Sequence, residues 1–369
     1  MLASVSSKQS KLISDSTVFR SIIAVVVFGT ITTISNRTLG AKLGYKHGSM
    51  ITFLMFFGEY LNYLLLVGPL VASPTRRNNH YRLLQNEAKI QKKQLLGAYI
   101  YFCLPGLLGV LVTILQNIAI LLLPASVFQM LLSGNIVTGC LVSRIMLGRR
   151  ITRQQWIGNL LAIVGFIVTA LSTATLSGIG VERSAGSIFT GVVLIIMALI
   201  VRGILANTEE YLFRRFVMHP CRATAIEGSF GMIWTLCFCL ALSFFSCPSA
   251  NLCKARGYFD DPVSAVSDLF ETRERLAVAC ILTIGAMLDN YALISLVKHA
   301  TCIYALFSSA MNTLLVWIVA VSLGLEHFTI RAFAMQTIGY ALLVAGNYVY
   351  HRGDRVDVCV DGLCEDSEV

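Results

Sequence analysis

Four ionisable side chains interrupt otherwise apolar runs: Glu59 in FFGEYLNYLLL, Arg202 in LIIMALIVRGILANTEEY, Glu227 in ATAIEGSFGM and Asp289 in GAMLDNYALI. A charge placed in hydrocarbon costs several kcal/mol unless it meets a partner or water, so such residues mark ion or solute paths by default. A carboxylate in that setting can take up a proton in one conformational state and release it in another. A guanidinium can begin a pocket for phosphate. Neutral polar residues join them as candidate solute or coupling contacts: Gln116, Asn117, Gln129, Ser133, Asn290, Ser308 and Asn312. Gln129 and Ser133 are four apart, as are Ser308 and Asn312, so on continuous helices each pair shares a face. The two faces are expected to meet in one cavity. Asn135, Asn207, Ser309 and Asn347 belong to the same polar set, and for any lone Asn or Ser in a membrane helix an interhelical hydrogen bond is the more favoured role. Glu209 and Glu210, beside Arg214 and Arg215, are expected to form a solvated interfacial cluster.

The elements that must position these groups follow from composition. Of 369 residues, 56% are hydrophobic and 13% charged, with a mean hydropathy of +0.72. Soluble domains carry roughly 25% charged residues, and their cores stop growing near 250 to 300 residues. The bilayer is the natural solvent for such a chain, and its apolar residues suffice for about ten helices of about 20 residues each. Apolar runs lie near 18–36, 49–72, 95–118, 126–146, 156–175, 188–210, 224–246, 276–297, 303–324 and 330–350. An N-terminal tail (1–17) precedes them and a C-terminal tail (351–369) follows.

The excess of 29 Lys and Arg over 20 Asp and Glu fits topology better than a nucleic-acid partner. Counted on alternate sides of ten spans, basic residues number 18 against 9 and place both termini in the cytosol. The loop at 247–275 then lies on the lumenal side, where Cys247 and Cys253 are candidates for a disulfide or remain thiols, according to the compartment. No P-loop, H-E-x-x-H or G-x-S-x-G motif occurs, and no metal ligand set or cofactor is expected.

The two halves resemble each other weakly. Asn117 aligns with Asn290, Ala125-Ser126 with Ala300-Thr301 and Leu147-Gly148 with Leu323-Gly324. Gly158 and Gly165 align with Gly339 and Gly346, each pair seven residues apart. Five spans per half is an odd number, so the second copy enters the membrane from the opposite face. The expected fold is an all-α polytopic membrane protein of ten transmembrane helices in a 5+5 inverted repeat, 18–175 and 188–350. Secondary transporters use this architecture for alternating access.

ASVFQMLLSG followed by LGRRITRQQWIGNLLAIVG resembles the drug/metabolite transporter superfamily. FFGEY, SVFQML, TGVVLIIMALI, EEYLFRRFVMHPCRATAIEGSFG and LLVAGNYVY are similar to solute carrier family 35 within it, over residues 20–352. The resemblance implies a secondary transporter or exchanger of a small organic solute in an endomembrane of lysosomal, Golgi or endoplasmic-reticulum type. A proton or counter-substrate is the candidate coupling partner, and a homodimer is a further candidate. In the subgroup an Arg follows FQML. Here Leu132 takes that place and the nearest basic residue is Arg144, so an anion site built on that Arg does not carry over. The alternatives are a nucleotide-sugar antiporter, for which Arg202 would begin the phosphate pocket, and a non-transporting scaffold that holds partners through residues 73–94. N-terminal helix dipoles at the fourth and ninth runs favour an anionic or zwitterionic solute, whereas Glu59 and Asp289 favour a cation.

Overall fold

A computed structural model describes residues 2–71 apart from 46, 95–176 apart from 124 and 150, 185–243 apart from 217, 262–322 and 330–352. Among these residues there is no strand. Helices occupy all ten predicted positions: α1 (Leu2–Arg37), α2 (Gly48–Tyr60), α3 (Asn62–Val71), α4 (Leu95–Tyr101), α5 (Cys103–Leu122), α6 (Ala125–Leu132), α7 (Asn135–Met146), α8 (Arg153–Leu176), α9 (Ala185–Arg215) and α10 (Pro220–Ser243), then α12 (Arg273–His299), α13 (Cys302–Ser322) and α14 (Ile330–Arg352). A short helix not foreseen from the sequence, α11 (Pro262–Glu271), precedes α12. Cys247, Cys253 and the 73–94 loop lie outside the described residues.

Among the described residues, six segments are long and apolar enough to cross a membrane: Ser16–Gly40, Gly48–Leu66, Tyr99–Ile120, Ile188–Arg215, Pro220–Ala241 and Arg273–His299; Met130–Met146 is a shorter apolar helix. The polarity is arranged as for a lipid solvent. Phe19, Ile23, Val27 and Ile31 are exposed at four-residue spacing on α1, and Phe189, Val193, Ile196 and Ile200 form an exposed stripe on α9, while Asn62, Asn207 and Ser308 are buried. In water this would be an aggregating surface; in hydrocarbon it costs nothing, and backbone polar groups are satisfied within each helix.

Three of the runs carry a local turn. The run at 49–72 has one at Leu61, which keeps helical dihedrals (φ −61, ψ −11) and a bond from its N–H to Phe57 O at 3.0 Å; that at 95–118 has one at Phe102; and that at 126–146 has one at Ser133-Gly134, where both amides turn back three residues, to Met130 O (3.2 Å) and Leu131 O (3.0 Å). Elsewhere the boundaries follow local chemistry. Gly148 ends α7 at φ +65, a conformation that favours glycine. Thr152 and Gln155 then form a reciprocal capping box at the start of α8, with Thr152 N–H donating to Gln155 Oε1 at 2.8 Å and Gln155 N–H to Thr152 Oγ1 at 3.3 Å.

The chain packs as two compact units, one of residues 1–114 with 208–308 and the other of 115–207 with 309–369. Each unit draws on both sequence halves, so the packing units and the repeat halves are different partitions of the chain.

In the first unit α1 runs antiparallel to α12: Ser21 hydroxyl meets Ser295 hydroxyl at 3.3 Å, and a β-carbon on Gly285 would stand 2.7 Å from Thr32 Oγ1. Helix α2 is gripped by two others through glycine. A β-carbon on Gly58 would collide with the Thr283 carbonyl of α12, and one on Gly228 of α10 would stand 2.7 Å from the Glu59 β-carbon and from the Phe56 carbonyl.

In the second unit α8 and α14 cross where a β-carbon on Gly158 would lie 2.6 Å from Gly346 O and one on Gly165 2.6 Å from Gly339 O. Helices α7 and α9 are joined by Thr138, whose hydroxyl donates to Leu199 O at 2.9 Å, and by Asn207, whose amide donates to Gly139 O at 3.1 Å and Gly203 O at 2.8 Å.

Candidate functional site

The predicted site residues divide between the two units. Glu59, Glu227, Asp289, Asn290 and Ser308 belong to the first, and Gln116, Asn117, Gln129, Ser133, Arg202 and Asn312 to the second. The three carboxylates Glu59, Glu227 and Asp289 and the amide of Asn290 therefore fall in one packing unit, with Arg202 in the other.

Glu59 is the second-last residue of α2 and only 8% exposed. Three residues on, Asn62 turns its side-chain amide back to the Glu59 carbonyl at 3.0 Å and across to the Met287 carbonyl of α12 at 3.1 Å, which ties this stretch to α12. Asn62 is fully buried and was not singled out from the sequence, where a lone Asn two residues after a tyrosine carries no signal of a turn. The Glu59 β-carbon lies against Gly228, and the adjacent Glu227, 6% exposed, directs Oε1 toward α5, 4.0 Å from where a β-carbon on Gly109 would stand. Glu59 is thus held at the α2–α10 crossing by the glycine that brings the two backbones together, and Glu227, on the same helix as that glycine, turns toward α5. Asp289 is half-buried on α12, two residues beyond Met287, and Asn290 Nδ2 donates to its own helix at Ala286 O, 3.2 Å away.

Helix α6 ends at Leu132, and Ser133 sits in the turn before α7, buried, with its hydroxyl donating to Met130 O at 2.5 Å. The side chain of Gln129 lies outside the described residues. Ser308 and Asn312 do share the continuous α13; Ser308 is fully buried and donates to Tyr304 O at 2.9 Å, and Asn312 is half-buried. Gln116, Asn117 and Arg202 are each half-buried on α5 or α9. Arg144 is exposed, its guanidinium 5.8 Å from the Trp156 ring centroid, and takes no place in the interior.

The solvated cluster at Glu209 and Glu210 is corrected, since both are buried. Glu210 Oε1 accepts from Arg214 Nη2 at 2.6 Å, and its Oε2 accepts from the Cys302 backbone N–H at 2.8 Å at the start of α13. This carboxylate has a structural role that proximity to two arginines in sequence could not reveal. Asn207 behaves as an interhelical hydrogen-bonding residue, as expected. Asn207→Ala should cost about 1 kcal/mol, the usual range for such bonds in membrane helices, measured by thermal unfolding in detergent. An unchanged midpoint would show that the bonds to Gly139 and Gly203 contribute nothing.

Among the described residues no group of three or more His, Cys, Asp or Glu is arranged to hold a metal ion. Long apolar helices with lipid-facing stripes and buried carboxylates define the class: this is an integral membrane protein built of helices. No protein-family profile matches the chain. Among curated proteins it is 30% identical over 252 residues to human solute carrier family 35 member F6, covering 68% of this chain and 66% of that protein. The rat protein of the same name is 27% identical over 309 residues, covering 83% and 78%. An uncharacterised fission-yeast protein is 23% identical over 68% of the chain. The chain belongs to solute carrier family 35. A solved crystal structure with 14% identity superposes with a TM-score of 0.59 over 91% of this chain and 98% of its own, a likeness of fold alone.

Proposed function

We propose that this chain is a secondary transporter or exchanger of a small organic solute in an endomembrane, working by alternating access, with Glu59 as its coupling carboxylate. The observation that carries the reading is Glu59 itself, buried inside a candidate span with its β-carbon against Gly228 of α10, next in sequence to a second buried carboxylate, Glu227. A carboxylate at membrane depth can take up a proton in one conformational state and release it in another.

The glycine crossing supports the inverted repeat. In the alignment of the halves Gly158 is equivalent to Gly339 and Gly165 to Gly346; in space Gly158 touches Gly346 and Gly165 touches Gly339. Exchange of partners between equivalent positions on antiparallel helices is what a pseudo-two-fold axis produces. With that axis the two halves interconvert in shape, and both termini face the cytosol by the count of basic residues.

The test is flux in vesicles. The purified chain is reconstituted with a pH-sensitive dye inside and challenged with nucleotide sugars, nucleotides, amino acids, peptides and organic cations. At least one class should drive proton movement that Glu59→Gln abolishes while the variant keeps its thermal unfolding midpoint. Solute-driven proton movement of normal rate in Glu59→Gln would overturn the coupling role, and absence of flux with every class would overturn the transporter reading in favour of a scaffold.

A further inference from the structure

We propose that α11 is a membrane-interface helix, seated in the bilayer surface by Val263, Val266 and Phe270, and that it holds the connection between α1 and α2 in place. At 100° per residue its side chains fall into three facets. Ala265 and Leu269 form one and are buried against the first unit's core, beside Leu39, Tyr45 and Leu282. Ser264, Asp268 and Glu271 form a second, polar one. Val263, Val266 and Phe270 form the third, within about 60° of one another, and they are 67%, 44% and 65% exposed. The first and third facets adjoin and make one apolar arc of about 160°, of which only the Ala265–Leu269 side is covered by protein, which is the arrangement of a helix that touches protein, lipid and water at once.

The occupant of the third facet follows from its surroundings. Helix α12 begins at Arg273, two residues beyond α11, and exposes Leu276, Ile281 and Ile284 in its candidate span, so the apolar facet continues the lipid-facing surface to its edge. Three side chains are far below the roughly 800 Å² per partner that a specific protein interface buries, which argues against a second copy or a stable protein partner. The charges are arranged for a headgroup region. Glu271 is neutralised by Arg275 at 2.6 Å, Asp268 accepts from His47 Nε2 at 2.9 Å, and Arg273 is left exposed at the level where phosphates lie.

From that seat α11 and the start of α12 hold the segment after α1. Tyr45 hydroxyl donates to Ala265 O at 2.9 Å, His47 reaches Asp268, and Arg275 Nε donates to Leu43 O at 3.1 Å while its Nη1 donates to Asp268 O at 3.0 Å. The chain there is set by a π-helical turn, Thr38–Lys42, and by Gly44 at φ +66.

Phe270→Trp and, separately, Val263→Trp test the seat in reconstituted vesicles. The added fluorescence is read as the difference from the parent protein. Phosphatidylcholine brominated near the head of the acyl chain should remove roughly half of that added emission, as expected for a residue about 5–10 Å into the headgroup boundary, and aqueous iodide should remove little. Strong quenching by iodide with none by brominated lipid would place the facet in water and overturn the proposal. Shielding from both quenchers would mean that protein, a second copy included, covers the facet, and would overturn it equally.

Discussion

Gly158→Leu and Gly165→Leu should each abolish recovery of folded protein, and the alanine variants should each lose about 2–3 kcal/mol. The cause is distance. A β-carbon on Gly158 would stand 2.6 Å from both Gly346 O and Tyr350 N, and one on Gly165 would stand 2.6 Å from Gly339 O and 2.7 Å from Leu343 N. The close atoms are backbone, which has no rotamer by which to retreat, so α8 and α14 must separate along their length. Helices in lipid associate through packing rather than hydrophobic burial, and a crossing of small residues that is pushed apart loses those contacts outright. Alanine adds one carbon and forces a shift of several tenths of an ångström; leucine adds four and leaves no contact to keep. Gly97→Leu on α4 is the control, since nothing lies within 4 Å of its would-be β-carbon, and it should change stability by no more than about 0.5 kcal/mol. Size-exclusion profiles and thermal unfolding in detergent read all of these. A Gly158→Leu protein with an unshifted midpoint would show that the two helices do not meet there.

This crossing also marks how far the sequence could be read. The glycine pairs were visible as landmarks at equal spacing in the two halves, because period and composition survive in a weak repeat. Their cross-matching in space was not visible, because contact between helices depends on tertiary approach and not on local pattern. The same limit explains the local turns. An apolar run predicts that a segment enters lipid, yet Tyr60 to Asn62 contains no proline, glycine or charge, and the turns at Leu61 and Ser133 are accompanied by Asn62 and Ser133 bonding to carbonyls that the local sequence does not identify. Helix α11 escaped for a different reason. Its ten residues are too short and too mixed to stand out beside runs of twenty, and that its apolar arc is wider than the protein covers is legible only once the buried side has a partner. Buried carboxylates were the most legible feature of the candidate site, since Glu59 and Glu227 are expensive wherever an apolar run surrounds them. Which helix each one faces was beyond the sequence.

Glu210 is where reading by proximity gave the opposite of the structure, and it yields the second large effect. Glu210→Ala should destabilise the protein by about 3 kcal/mol, the range for removing one partner of a buried ionic contact. Two losses combine. The Cys302 backbone N–H, at a residue with no exposed surface, is one of the donors that a helix leaves unpaired at its N-terminus, and without Oε2 its desolvation is uncompensated. Arg214 loses its 2.6 Å contact to Oε1, but its side chain is 39% exposed and water takes over part of that bond. The cap is therefore expected to dominate. Glu210→Gln separates the two terms: the amide oxygen still accepts from Cys302 while the charge is gone, so the loss should fall to about 1 kcal/mol. Salt gives an independent readout. A solvated surface pair would be screened between low and high ionic strength, whereas a carboxylate 3% exposed and locked onto a helix start should lose the same stability on mutation at both. If Glu210→Ala unfolds within about 0.5 kcal/mol of the parent at low salt, and the difference vanishes at high salt, the residue is a surface charge after all and α13 begins without it.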